Sequence, residues 1–146
     1  MNNLAEIKVS YSTSNTPKIK ITQGEQAYKV LLESWNKDTI ELQEEFKVLL
    51  LNRANEVLGI YPLSRGGITG TVVDIRLIFA VALKCNATGI ILSHNHPSGN
   101  LKPSKADINL TNRIKECCTL LDVTLIDHLI ISKNGFYSFI NSGDLS

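Results

Sequence analysis

The chain has 146 residues, 43% of them hydrophobic and 20% charged, with a formal net charge of +1. That length suits one domain better than two, and the apolar share is enough for a packed core, which argues against an intrinsically disordered chain. Fifteen Lys and Arg stand against fourteen Asp and Glu, so the chain lacks the basic excess with which dedicated nucleic-acid binders hold phosphates.

The amino terminus MNNLAEIKVSYSTSN has no secretory apolar region, and no apolar run approaches the ~20 residues that span a bilayer. Cys85, Cys117 and Cys118 are odd in number and include a vicinal pair. That is a poor disulfide framework and a poor thiolate metal site, and it suits free thiols in a reducing cytoplasm. The expectation is a cytoplasmic domain with no membrane contact.

Residues 1–23 are rich in Asn, Ser, Thr and Lys and read as an arm, either an edge hairpin or disordered, ahead of a domain at 24–146. From Gly24 the pattern turns helical, with Ala27, Val30, Leu31, Ser34 and Trp35 on one face. Phe46–Leu51 is a short apolar run of strand length. Asn55 marks a turn, and Glu56–Leu63 returns as a second strand to make a hairpin. Ser64–Gly70 is a glycine-rich loop. Asp74 opens a helix whose apolar face carries Ile75, Ile78, Phe79, Ala82 and Leu83. Thr88–Ser93 is a buried strand, followed by a loop over His94–Pro103.

Ser104 to about Leu121 forms the next helix, with Ile108, Thr111, Ile114, Cys117 or Cys118, and Leu121 inward. Val123–Ser132 is a strand, Asn134-Gly135 a tight turn, and Phe136–Ile140 the last strand. This order predicts an α/β fold in the broad, mixed α+β sense, with a mixed sheet flanked by helices.

Chemistry concentrates in Ser93–Asp107, SHNHPSGNLKPSKAD. His94 and His96 stand two apart after an apolar strand, and in extended backbone such residues project to one side. Asn95 then points away. Asp107 falls in the first turn of the next helix, where a short loop can return its carboxylate to the histidines. Two imidazoles and a carboxylate suit a catalytic zinc or another late first-row ion with one position open. The same Ser104 and Asp107 also fit a helix capping box, S-x-x-D.

H-x-H-P followed by S-x-x-D resembles the JAB/MPN metalloprotease motif, called JAMM, and HNHPSG with PS-x-x-D resembles its RadC branch. QEEFKVLLLN at Gln43–Asn52, SRGGITGT, and LIDHLIIS at Leu125–Ser132 extend the likeness over roughly Glu41–Ile140. The resemblance implies a curled mixed sheet between helices, related to the cytidine-deaminase arrangement. It implies Zn2+ on His94, His96 and Asp107, with Ser104 at the oxyanion and an upstream Glu acting on the attacking water. Of Glu44 and Glu45 it selects Glu44, two before Phe46, and strand alternation sends Glu45 to the other side.

The implied activity is zinc-dependent hydrolysis of a peptide or isopeptide bond in a peptide or protein substrate. The RadC name carries an association with DNA repair. Met1–Gln23 does not resemble the helix-hairpin-helix region of full-length RadC-like chains, so the reading is of a short form with weak grounds for DNA contact. A second reading is a non-catalytic protein- or DNA-interaction module in repair or mobile-element biology. The signature of nucleobase deaminases is missing, and the letters H-N-H do not make an HNH nuclease. His128 reads as a hydrogen-bonded strand histidine facing away from Asp127 and Leu129. Trp35 and Phe46 read as core, Arg65 with Gly66-Gly67 as either a substrate flap or a solvated loop. A sheet edge leaves a homodimer open.

Overall fold

The computed structural model describes residues 3–66 and 72–145. Its elements run α1 (Gly24–Ser34), β1 (Glu45–Leu51), β2 (Val57–Arg65), α2 (Ile75–Lys84), β3 (Gly89–Asn95), α3 (Lys105–Leu120), β4 (Thr124–Ser132), β5 (Gly135–Ser138) and α4 (Phe139–Ser142). The five strands form one mixed sheet in the order β2-β1-β3-β4-β5. Among the described residues only β3 and β4 pair in parallel, as expected when a helix, α3, carries the chain from one to the other.

β1 and β3 are buried along their whole length because helices cover both faces of the sheet. Their side chains alternate. Phe46, Val48, Leu50, Ile90 and Leu92 pack toward α2 and α3, with Ile78, Ala82, Ile114 and Cys118. Leu49, Leu51 and Ile91 pack on the other face with Ala27, Leu31 and Trp35 from the first helix and its C-cap. This three-layer mixed α/β arrangement is consistent with a JAB/MPN fold.

Several boundaries differ from the sequence reading. β3 continues through His94 and Asn95, because the chain breakers Pro97 and Gly99 act only after them, and Gly99 alone takes a positive φ of 81° there. β2 continues through Ser64 and Arg65, while Gly67–Gly70 of the expected loop lie outside the described residues. The last strand ends at Ser138, whose hydroxyl accepts the Asn141 N–H and opens the single turn α4. Leu83 and Leu121 are exposed rather than inward, and Cys118, not Cys117, is the buried thiol of α3.

The end of the amino-terminal arm is tied to the start of β2. Ile21 N–H donates to the Asn55 carbonyl at 2.8 Å and Val57 N–H to the Ile19 carbonyl at 2.8 Å. Among the described residues no helix is long and apolar enough to cross a membrane.

Asp127 holds the end of the chain in place. Its Oδ1 accepts the His128 and Ile140 N–H groups at 2.7 and 3.1 Å, and its Oδ2 accepts the Ser138 hydroxyl at 2.6 Å. Burial raises the carboxyl pKa, and these hydrogen bonds oppose the rise without cancelling it. Asp127→Ala therefore leaves two backbone donors orphaned and is expected to cost about 3 kcal/mol of stability in urea unfolding. Asp127→Asn retains an acceptor at Oδ1 and should stay within about 1 kcal/mol of wild type.

Candidate metal centre

The antiparallel pairing of β1 with β3 sets Phe46 opposite His94. Continuing that register by two residues carries Glu44 opposite His96 and onto the same face. Accordingly, ligand atoms of Glu44, His94 and His96 all lie within 4.8 Å of one another, a group able to hold a metal ion. Glu45 takes the opposite face and pairs with Arg65 at 3.1 Å, so of the two adjacent carboxylates Glu44 is the one beside the histidines. Arg65, which read as part of a flap or a solvated loop, is joined to that buried acid.

The segment before β1 is clamped from below. The buried Asn95 side chain accepts the Glu45 N–H at 2.8 Å and donates to the carbonyls of Ile40 and Gln43 at 2.7 and 2.9 Å. The Gly66 N–H donates to the Glu44 carbonyl at 2.8 Å. Glu44 thus stands on backbone fixed from both neighbouring strands, and its side chain has no hydrogen bond with another described residue.

Asp107 arrives from the first turn of α3. Ser104 Oγ accepts the Asp107 N–H at 3.0 Å and Asp107 Oδ2 accepts the Ser104 N–H at 2.8 Å, so the capping box is formed. That same Oδ2 lies 3.2 Å from His96 Nε2 and 3.4 Å from His94 Nε2. The cap is the device that aims the carboxylate. Because Ser104 Oγ acts in the cap as an acceptor, its own proton is left for another partner.

The proton inventory decides what this cluster can hold. His96 Nδ1 lies 2.6 Å from the Asn100 carbonyl, which can only accept, so Nδ1 carries the proton and neutral His96 presents a lone pair at Nε2. His94 Nε2 and His96 Nε2 face each other at 3.0 Å. One proton on His96 Nε2 can satisfy one neighbour well, whereas a cation satisfies the nitrogens and the Asp107 oxygen together. The donor set, two imidazole nitrogens and carboxylate oxygen, fits a late first-row divalent ion.

Without such an ion, hydrogen bonding to Asp107 raises the His96 pKa against the opposing effect of its burial. Burial of Asp107 favours its neutral form, but the two histidines outweigh that and hold its carboxyl well below the usual range.

His94 has a further partner. Its Nδ1 lies 2.8 Å from Nε2 of His128, whose Nδ1 lies 2.6 Å from the Thr111 hydroxyl. Sequence reading placed His128 as a satisfied strand histidine and Thr111 on the inner face of its helix. Neither their separation from His94 nor local patterning joined them to the site. A cavity of about 240 Å3 borders His96, lined by Ile40, Gly99, Leu101 and Gly135 among others. A larger one, about 790 Å3, lies against Ile91, Asp127 and Phe136 and includes none of the clustered residues.

The model of the RadC-like JAB domain matches residues 21–144. The chain belongs to the RadC-like JAB family. It is 53% identical over 100 residues to a UPF0758 protein of Flavobacterium johnsoniae, covering 68% of this chain and 44% of that one. It is 42% identical over 125 residues to a UPF0758 protein of Clostridium beijerinckii, covering 86% and 53%. With a UPF0758 protein of Staphylococcus aureus it shares 40% over 126 residues, covering 86% and 56%. The chain therefore spans about half the length of the curated relatives it matches.

The metal-free cluster has a pH signature with two edges. His96, whose folded pKa is raised, contributes stability that is full below its ordinary value of 6.5 and is lost as pH rises through the raised value. Asp107, whose folded pKa is lowered, contributes stability present above 3.8 and lost as pH falls below it. In chelator, the melting temperature of wild type minus that of Asp107→Asn should be largest between those two values and shrink on either side. An equal difference at pH 5 and pH 9 would contradict this assignment.

Proposed function

We propose that this RadC-like JAB chain is a zinc-dependent hydrolase acting on a peptide or isopeptide bond. In this reading His94, His96 and Asp107 hold the ion. The observation that carries it is the convergence of two imidazole nitrogens and a carboxylate oxygen with too few protons to satisfy them. Bound there, zinc would supply Lewis acidity at neutral pH to a water and to the substrate carbonyl.

The chain's own residues supply the proton handling. Glu44, half-buried and within 4.8 Å of the histidine ligand atoms, is placed to take a proton from the attacking water and return it to the leaving amine. Water adds to the carbonyl carbon, the carbon–nitrogen bond breaks, and the amine leaves with that proton. The Ser104 hydroxyl, with its proton uncommitted by the helix cap, would donate to the carbonyl oxygen as negative charge develops on it. The cavity bordering His96 offers room for substrate chain flanking the reacting bond. Pairing of Glu45 with Arg65 keeps that second carboxylate out of the reaction.

The substrate in this reading is a peptide or protein. The near-zero net charge gives only weak grounds for contact with DNA. The free thiols Cys85, Cys117 and Cys118 suit the cytoplasm.

The test pairs metal content with turnover. Wild type should bind about one zinc per chain by three-ligand site logic, and His96→Ala should lose it. On a panel of fluorogenic peptides and lysine-linked isopeptides, Glu44→Gln should keep wild-type zinc content while turnover falls by at least about 100-fold. Equal zinc in wild type and His96→Ala would overturn the ligand set. Turnover surviving in Glu44→Gln, or lost instead in Glu45→Gln, would overturn the assigned proton carrier.

A further inference from the structure

His94 is a histidine with both ring nitrogens committed. Nε2 faces His96 and Asp107, and Nδ1 faces Nε2 of His128 at 2.8 Å. His128 is fully buried, stacked on Phe139 with ring centroids 4.5 Å apart and met edge-on by Phe46 at 5.7 Å. Its Nδ1 lies 2.6 Å from Thr111 Oγ1. Thr111 is itself buried and donates its only hydroxyl proton to the Asp107 carbonyl at 2.7 Å, one turn back along α3.

One assignment of donors and acceptors satisfies every contact along this chain at once. The Asp107 carbonyl can only accept, so the Thr111 hydroxyl spends its proton there and must accept from His128 Nδ1–H. Neutral His128 is then left with a lone pair at Nε2, which accepts from His94 Nδ1–H. His94 is thereby left with its lone pair at Nε2, on the side of the candidate metal. The chain of bonds starts at one ligand, crosses β4, and ends on the backbone of another.

We propose that Thr111 and His128 are positioning residues that lock His94 in its Nδ1–H tautomer and so set the metal affinity of the centre. The inference rests on the reading of His94 as a metal ligand. Without the Thr111 acceptor, the proton of neutral His128 can settle on Nε2 and donate to His94 Nδ1. The His94 proton then sits on Nε2, where the ion must displace it. Outer partners of this kind are worth roughly 10–100-fold in affinity.

The test measures zinc affinity by competition with a chromophoric chelator, alongside nitrogen-15 spectra of the histidine rings in metal-free protein at pH 8. Wild type should show His94 Nδ1 as the protonated nitrogen and Nε2 as the bare one. Thr111→Val, close in shape but without the hydroxyl, should bind zinc about 10–100-fold more weakly and show the reversed His94 pattern. Thr111→Ser should restore both. His128→Phe, which keeps an aromatic ring beside Phe139, should weaken zinc binding like Thr111→Val.

Thr111→Val binding zinc as tightly as wild type would overturn the relay while leaving the metal reading intact. Wild type that takes up no zinc would overturn both. The wild-type spectrum needs no variant: protonated Nε2 on its metal-free His94 would overturn the proposed lock even if every substitution failed to fold.

Discussion

The whole centre depends on one antiparallel register, the pairing of Phe46 on β1 with His94 on β3. Strand periodicity does the rest. Two residues beyond that pair, Glu44 and His96 meet on the same face, while Glu45 and Asn95 are sent to the other. A slip of β1 by one residue would exchange the two carboxylates beside the histidines. Asn95 itself opposes the slip, because its side chain is bonded to Glu45 N–H and to the carbonyls of Ile40 and Gln43. The burial of β1 and β3 on both faces adds the apolar part of the same constraint.

Protons are scarce in this half-buried site. The capping box that begins α3 is an ordinary helix device, yet its carboxylate oxygen also reaches His96 Nε2 at 3.2 Å. One carboxylate oxygen therefore serves both the helix start and the histidine cluster. The Asn100 carbonyl fixes the proton on His96 Nδ1, and the route through His128 and Thr111 does the same for His94. Phe139, from the short α4, backs the His128 ring, and Asp127 secures the start of that turn. Remote parts of the fold thus converge on the orientation of one imidazole.

Much of this was legible in the sequence. The H-x-H spacing after an apolar run, the S-x-x-D of the cap and the alternation around Phe46 all act over a few residues, so they survive without a fold. The division of Glu44 from Glu45, and of His128 from Asp127, follows from the same period of two. What was not legible depends on long-range pairing. His128 is 34 positions from His94 and 17 from Thr111, and a buried threonine on a helix looks like any other core position. α4 was hidden because four residues are too few to show a helical period, and Phe136–Ile140 carries a strand-like composition. β3 outran its expected end because a polar pair, His94 and Asn95, can stay in a strand when each side chain finds partners on its own face.

X-ray absorption at the zinc edge of the reconstituted protein reads out the ligands of the ion itself. Two imidazole nitrogens are expected at about 2.0–2.1 Å, together with oxygen ligands at about 2.0–2.2 Å and no sulfur. A sulfur shell near about 2.3 Å, or a spectrum without imidazole scattering, would place the ion elsewhere and contradict this ligand set.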